Sequence, residues 1–157
     1  MFKLFEYNWQ VRNDWFAWCE KLPEEELHKT RVGGVGSIYL TLLHIIEVEK
    51  NWIHDVNREP IPEFKQENFK TLAQLIELSE SIKPATLAVL EAYNSERDYE
   101  IVSCPESDGT HSIYTFGEIL RHLIAHEIHH IGQISVWARE IGETPVTANL
   151  IRRGLFK

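Results

Sequence analysis

Between Ser37 and Asn57 the chain reads IYLTLLHIIEVEKNWIHDV, a run that is apolar nearly all round until Glu47. A helix without a polar face has to be covered on every side, so this one belongs in the interior of a helical bundle. Ser37 is placed to cap its first turn, and Asn57-Arg58-Glu59-Pro60 stops it. His44 stands between Leu43 and Ile45 on this greasy stretch and is expected to be buried.

Three further helical patterns can supply that cover. From Leu4 to Lys21 the apolar residues Leu4, Phe5, Val11, Trp15, Phe16, Trp18 and Cys19 recur at helical spacing, with Pro23 just beyond. Glu24 to Gly36 is acidic and then glycine-rich, and is expected to be a connection. A third pattern starts near Thr71 and carries Leu72, Leu75, Ile76, Leu78, Ile82, Leu87, Val89 and Leu90. Pro84 lies inside it and predicts a kink or a split, because proline removes one backbone hydrogen bond and crowds the preceding turn.

Between Asn94 and Thr115 the period changes. Tyr99, Ile101 and Ser103 alternate with polar residues, and Ser107-Asp108-Gly109 offers a turn before His111-Ser112-Ile113-Tyr114, so a short β-hairpin is expected here. Thr115 and Glu118 then have capping-box spacing and open a last helix running from about Phe116 to Ile141, with Gly142 as its stop. Four helices with one long crossing loop describe an all-α, four-helix-bundle fold.

The 157 residues, 43% of them apolar and 25% charged, suit one globular domain spanning 1–157. Sixteen Lys and Arg against 24 Asp and Glu leave a net charge of −8 without a basic cluster, which argues against a nucleic-acid partner. No stretch approaches the roughly 18–20 uninterrupted apolar residues of a membrane span, and MFKLFEYNWQ is too polar for a signal peptide. The expectation is a cytoplasmic protein, with no membrane partner, whose two distant cysteines, Cys19 and Cys104, are reduced thiols. Cys104 has no base motif beside it, so it is not read as a catalytic nucleophile.

Histidine is the unusual letter: there are eight, and four fall within the nine residues His122 to His130. At about 100° per residue, Leu120, Leu123, Ile134 and Ile141 mark the apolar centre of the last helix. His130 lies about 40° from that centre and His126 about 80°, while His122 and His129 lie about 120° and 140° away, toward rim or water. His126 and His130 are therefore stacked a turn apart on one face, the arrangement that lets two imidazoles hold one divalent cation. A facing helix has to add the third ligand, and His44 is the one internal candidate; His28 and His111 fall in connections, and His54 near a solvated helix end. Three histidines leave coordination positions open, as in catalytic rather than closed structural sites. Imidazole ligation does not select the metal: zinc or nickel come first, with iron, copper or manganese as the other candidates.

Two other motifs overlap these residues. His126-Glu127-Ile128-His129-His130 satisfies H-E-x-x-H, the zinc-protease pattern in which the glutamate is general base, but no further-histidine extension follows. Glu127 to His130 also fits the Glu-x-x-His of di-iron bundles, which require a second copy; the other match, Glu25 to His28, is in a connection. Glu127 itself falls about 20° from the apolar centre. Either it meets a subunit interface or orients a ligand histidine, or the centre is misplaced by some tens of degrees. Gln133 is read as a rim residue, with a contact to the histidines as the other possibility. The five tryptophans, Trp9, Trp15, Trp18, Trp52 and Trp137, are read as core filling.

Taken together, Gly36-Ser37-Ile38-Tyr39 leading to His44, and Thr115-Phe116-Gly117-Glu118-Ile119-Leu120 leading to His126-Glu127-Ile128-His129-His130-Ile131-Gly132-Gln133-Ile134, resemble the DinB family and the related YfiT-like metal-binding proteins. The resemblance runs over essentially the whole chain. It implies an up-down-down-up bundle, often homodimeric, with one divalent metal on three histidines that map here to His44, His126 and His130. Ile131 departs from the pattern, since family members often carry arginine there. Relatives of this kind include transferases that use low-molecular-weight thiols such as bacillithiol or mycothiol. The function implied is thus a metal-dependent thiol S-transferase acting on a small-molecule substrate. A metal-dependent hydrolase and a non-catalytic metal-binding or stress-response module are the alternatives, and the sequence does not choose whether the chain is an enzyme.

Overall fold

The computed structural model describes residues 1–106 and 108–157. Ser107, the first residue of the expected hairpin turn, lies outside the described residues. Five α-helices and one small sheet follow in the order α1 (Phe2–Cys19), α2 (Glu24–His28), α3 (Ile38–Asn57), α4 (Leu72–Glu91), β1 (Ile101–Pro105), β2 (His111–Thr115) and α5 (Phe116–Glu140). Short 3-10 turns precede α4 and β1 and lie near the C-terminus. Among the described residues, no helix is long and apolar enough to cross a membrane.

The local signals act as their chemistry requires. The Ser37 side chain accepts from the Leu40 amide at the start of α3. Thr115 and Glu118 form a reciprocal capping box on α5, and Thr71 with Gln74 forms another on α4. The strands pair antiparallel with Ile101 opposite Thr115 and Pro105 opposite His111, so the expected hairpin is present. Gly109, at φ +82°, turns the chain where a side chain is disfavoured.

Two expectations need correction. The stretch Glu24–Gly36 is not all connection: Glu24–His28 forms α2, with three carboxylates in its first turn, where the helix dipole favours them, and buried Leu27 as its anchor. Of the kink or split expected at Pro84, the split does not occur: the third pattern runs as one helix from Leu72 to Glu91 with Pro84 inside it. Pro84 and Glu80 are both exposed, so the carbonyl that loses its partner can be hydrated.

Helix α3 packs on α4 and α5, and α1 packs on the same two helices from the other side. The core falls into two apolar clusters. One holds Trp15 and Phe16 of α1, Leu42 and Ile46 of α3, Leu75 of α4, and Ile131 and Ile134 of α5. The other holds Phe5 and Trp9 of α1, Ile53 of α3, Val89 and Leu90 of α4, and Leu120 and Leu123 of α5.

Between them, in sequence and in every one of these helices, stands a buried polar residue. Arg12 of α1, 2% exposed, donates from Nε and a terminal nitrogen to both carboxylate oxygens of Glu127 at 2.8 and 2.7 Å. The same guanidinium reaches Glu49 of α3 at 2.6 Å and the Ser79 hydroxyl of α4 at 3.1 Å. Glu49 also accepts from the Thr86 hydroxyl at 2.8 Å and from the Trp9 indole at 3.3 Å. Burial alone would disfavour these charges; bidentate pairing and satisfied hydrogen bonds are what allow them.

Candidate metal centre

Helix α3 carries His44 and the facing helix α5 carries His126 and His130, so the interhelical packing itself brings the three imidazoles together. Nε2 of His126 lies 3.1 Å from Nε2 of His44 and 3.1 Å from Nε2 of His130. One ring nitrogen from each of the three lies within 4.8 Å of those of the other two. Ligands at 2.0–2.1 Å on a tetrahedral ion are about 3.3 Å apart, so this spacing suits a metal held by Nε2 atoms. His130 is buried at 8% exposure; His44 and His126 are half-buried, His44 less deeply than its greasy surroundings suggested.

Hydrogen bonding among the rings does not satisfy the cluster. Each neutral imidazole has one N–H, and that of His130 is directed to Gln133 through Nδ1. Its Nε2 then presents a lone pair to His126, whose own Nε2 has at most one proton to share between two neighbours. A cation among the three relieves that frustration. The rings are also held in the neutral, ligating form. Burial pushes the pKa of His44 down, and His130 adds to the effect. His126 is pushed down to about 3 by burial and then by His130, His44, His122 and His129. Burial likewise lowers His130, against the opposing pull of its bond to Gln133.

Gln133 is not the rim residue expected from the wheel. Its Oε1 accepts from Nδ1 of His130 at 2.8 Å while its Nε2 meets Nε2 of His129 at 3.0 Å. The signal was its spacing of three and four residues from those histidines, which a helical wheel does not turn into reach. The glycine-rich segment presses on the same amide. A Cβ on Gly34, at φ +55°, would lie 2.7 Å from Oε1 of Gln133 and 3.0 Å from the Trp137 ring. Trp137 in turn donates its indole N–H to the Val32 carbonyl at 3.2 Å, pinning the segment to α5.

Glu127 plays neither of the expected roles. It is 3% exposed, as its place near the apolar centre of the wheel indicated, but it turns into the core to pair with Arg12 rather than toward a ligand histidine. Burial raises its pKa while the Arg12 charge and hydrogen bonds pull it back. The missed partner was Arg12, a cation within the apolar spacing of α1. His126 and His130, the two histidines of the H-E-x-x-H pattern, do meet, but Glu127 is turned away from them and held by Arg12, so it is not available as the general base and the protease reading falls.

The remaining histidines stay outside the cluster. His28 stacks near Tyr39 with ring centroids 4.2 Å apart, His111 bonds Ser103, and His54 lies 3.5 Å from Glu59. His122 and His129 are exposed, as the wheel indicated. Cys19 and Cys104 are free and buried. Burial pushes the Cys19 thiol up to about 12; burial and the Asp55 carboxylate push Cys104 up to about 11, so neither is a ready nucleophile. Trp9, Trp15, Trp18 and Trp137 fill the core. Trp52 is the exception, half-buried and edge-on to both Tyr114 and His122.

Comparison with known proteins adds an independent line. The model of the DinB family matches residues 1–154. The chain is also 46% identical over 155 residues to the uncharacterized protein YizA of Bacillus subtilis (strain 168), an alignment covering 99% of this chain and 96% of the relative.

Proposed function

The chain belongs to the DinB family, and from that premise we propose that His44, His126 and His130 hold one divalent cation, zinc or nickel first, in a thiol S-transferase of the bacillithiol type. The observation that carries the reading is the convergence of three imidazoles from two packed helices, with Nε2 of His126 3.1 Å from Nε2 of both His44 and His130. When bound, the cation supplies a Lewis acid with open positions that lowers the pKa of a thiol or water.

The chain's own residues define what has to come from outside. Both cysteines are buried with raised pKa values, and Glu127 is committed to Arg12, so neither cysteine is a ready thiolate and Glu127 is not a free base. This favours a nucleophile brought by a small cosubstrate. In S-transfer its sulfur bonds to an electrophilic carbon, the leaving group departs with its electron pair, and the thiol proton is released. His130, steered by Gln133, keeps its Nε2 aimed at the centre throughout.

The reading includes an up-down-down-up bundle. It is supported by the order in which the helices meet the two core clusters: α1 and α5 pass from the Phe5 cluster to the Trp15 cluster, and α3 and α4 pass the other way. It also includes a homodimer, as the family resemblance implies, in the cytoplasm, as the polar N-terminal segment suggests.

The test is elemental analysis of untagged protein beside His44→Ala and His126→Ala. About one metal per chain, lost in both variants, is expected; metal absent, or indifferent to both changes, overturns the reading. A thiol-dependent change in the visible spectrum of the cobalt-loaded protein separates the transferase from a hydrolase, for which water suffices.

A further inference from the structure

Trp52 of α3, Tyr114 of β2, and Glu118, Ile119 and His122 of α5 line a cavity of about 220 Å³. Its walls are rings. Trp52 stands edge-on to Tyr114 at 5.3 Å and to His122 at 5.7 Å between ring centroids, and His122 lies 5.5 Å from His126. A group in this cavity therefore sits about one helical turn from the three-histidine cluster. One departure from the rest of the protein marks the place: Trp52 is the tryptophan not sealed in the core, and it stands beside Tyr114, itself 38% exposed.

The lining also selects by charge. It includes no lysine or arginine. Its one formal charge is Glu118, whose carboxylate is held by the Thr115 amide at 2.8 Å and hydroxyl at 2.9 Å, bonds that keep it ionised. The neighbouring cation, Arg121, is tied to Asp98 at 2.7 Å. In the metal-free protein an anionic group would meet a fixed carboxylate with no counter-charge in the lining. The volume is below the roughly 300–1,000 Å³ of pockets that enclose a whole drug-sized ligand, so the cavity takes one ring with a short substituent.

We propose that this cavity binds an uncharged aromatic group of the substrate and sets it beside the His44–His126–His130 cluster. Ring-on-ring contact supplies the attraction, and Glu118 excludes carboxylate-bearing analogues. The inference rests on the metal reading above for what the bound group lies next to, and on the cavity alone for binding.

The experiment is a fluorine NMR titration of the full-length protein with 4-fluorobenzyl alcohol, and with 4-fluorobenzoate as its charged counterpart. The alcohol is expected to bind metal-free, zinc-loaded and cobalt-loaded protein. Binding should weaken at least tenfold in Trp52→Ala and severalfold in Tyr114→Leu, a milder change at an exposed ring that keeps the test valid if Trp52→Ala does not fold. In the metal-free protein the benzoate should bind at least tenfold more weakly than the alcohol. Fluorine relaxation should be faster in cobalt-loaded than in zinc-loaded protein, placing the probe beside the metal. Equal binding of alcohol and benzoate by metal-free protein, binding indifferent to the wall substitutions, or no cobalt-induced relaxation of a bound probe overturns the proposal. A protein that takes up no cobalt yet binds the alcohol through Trp52 and Tyr114 sinks the metal reading and supports the aromatic pocket.

Discussion

Oε1 of Gln133 lies 2.8 Å from Nδ1 of His130, the ring nitrogen that does not face the other two histidines. The bond places the proton of His130 on Nδ1 and leaves the Nε2 lone pair directed into the cluster. Gln133→Leu removes the acceptor and is expected to weaken metal binding about 10–100-fold, whereas Gln133→Glu, which still accepts, keeps most of it. Competition against a chromophoric chelator measures both; equal affinities for wild type and Gln133→Leu would show that the contact does not steer the ligand.

Gly34 bears on the same amide. Gly34→Ala introduces left-handed backbone strain of about 1–2 kcal/mol and drives a methyl group against Gln133. Gly36→Ala, at φ +98° with nothing within 4 Å of the new methyl, introduces strain alone. Both variants should lose stability in urea, but only Gly34→Ala should also lose metal affinity. The same affinity loss in both would tie it to the loop backbone instead of to Gln133.

Arg12 holds two buried carboxylates, Glu49 and Glu127. Arg12→Met strands them and is expected to cost about 3–5 kcal/mol, while replacing all three by apolar residues of similar volume should recover most of the loss. Glu127→Gln should lower stability yet leave metal stoichiometry unchanged in the folded protein, because Glu127 faces Arg12 and not the imidazoles. Loss of metal in that variant, with the fold intact by circular dichroism, would contradict the assignment.

The histidine shifts set a pH dependence for metal-free protein. His44, His126 and His130 all have folded pKa values below the ordinary 6.5, His126 at about 3. As pH falls below 6.5 the unfolded chain takes up protons that the folded chain refuses, so stability falls with pH in this window. The urea midpoint should drop between pH 7 and pH 5, and His126→Asn should flatten the slope. A midpoint that rises over that interval would mean the rings are charged in the folded state.

Much of this was legible in the sequence because it rests on local rules. Period, caps and stop signals placed the long helices, and the i, i+4 spacing of His126 and His130 together with the greasy surroundings of His44 named the three residues that meet. What escaped depends on reach across helices. Nothing in the local pattern of α1 names the partners that α3, α4 and α5 bring to Arg12, and Glu127 looked misplaced for lack of Arg12 as its partner. Gln133 was placed on the rim ahead of its contact with the histidines because a wheel records direction but not side-chain length. Pro84 was judged by the backbone bond it removes, whereas its exposed position lets water take over that bond.

The ionic layer of Arg12, Glu49 and Glu127 has a bearing on how the imidazoles come to be aligned at all. Glu127 follows His126 directly on α5, and Glu49 lies five residues after His44 on α3, so any sliding of α5 against α3 that separates the histidines also pulls a carboxylate away from its single guanidinium. Misregistered folds carry an unpaired charge in their interior and are rejected on that ground. Assembly of the bundle thereby proofreads the spacing of the histidines before any cation arrives to enforce it.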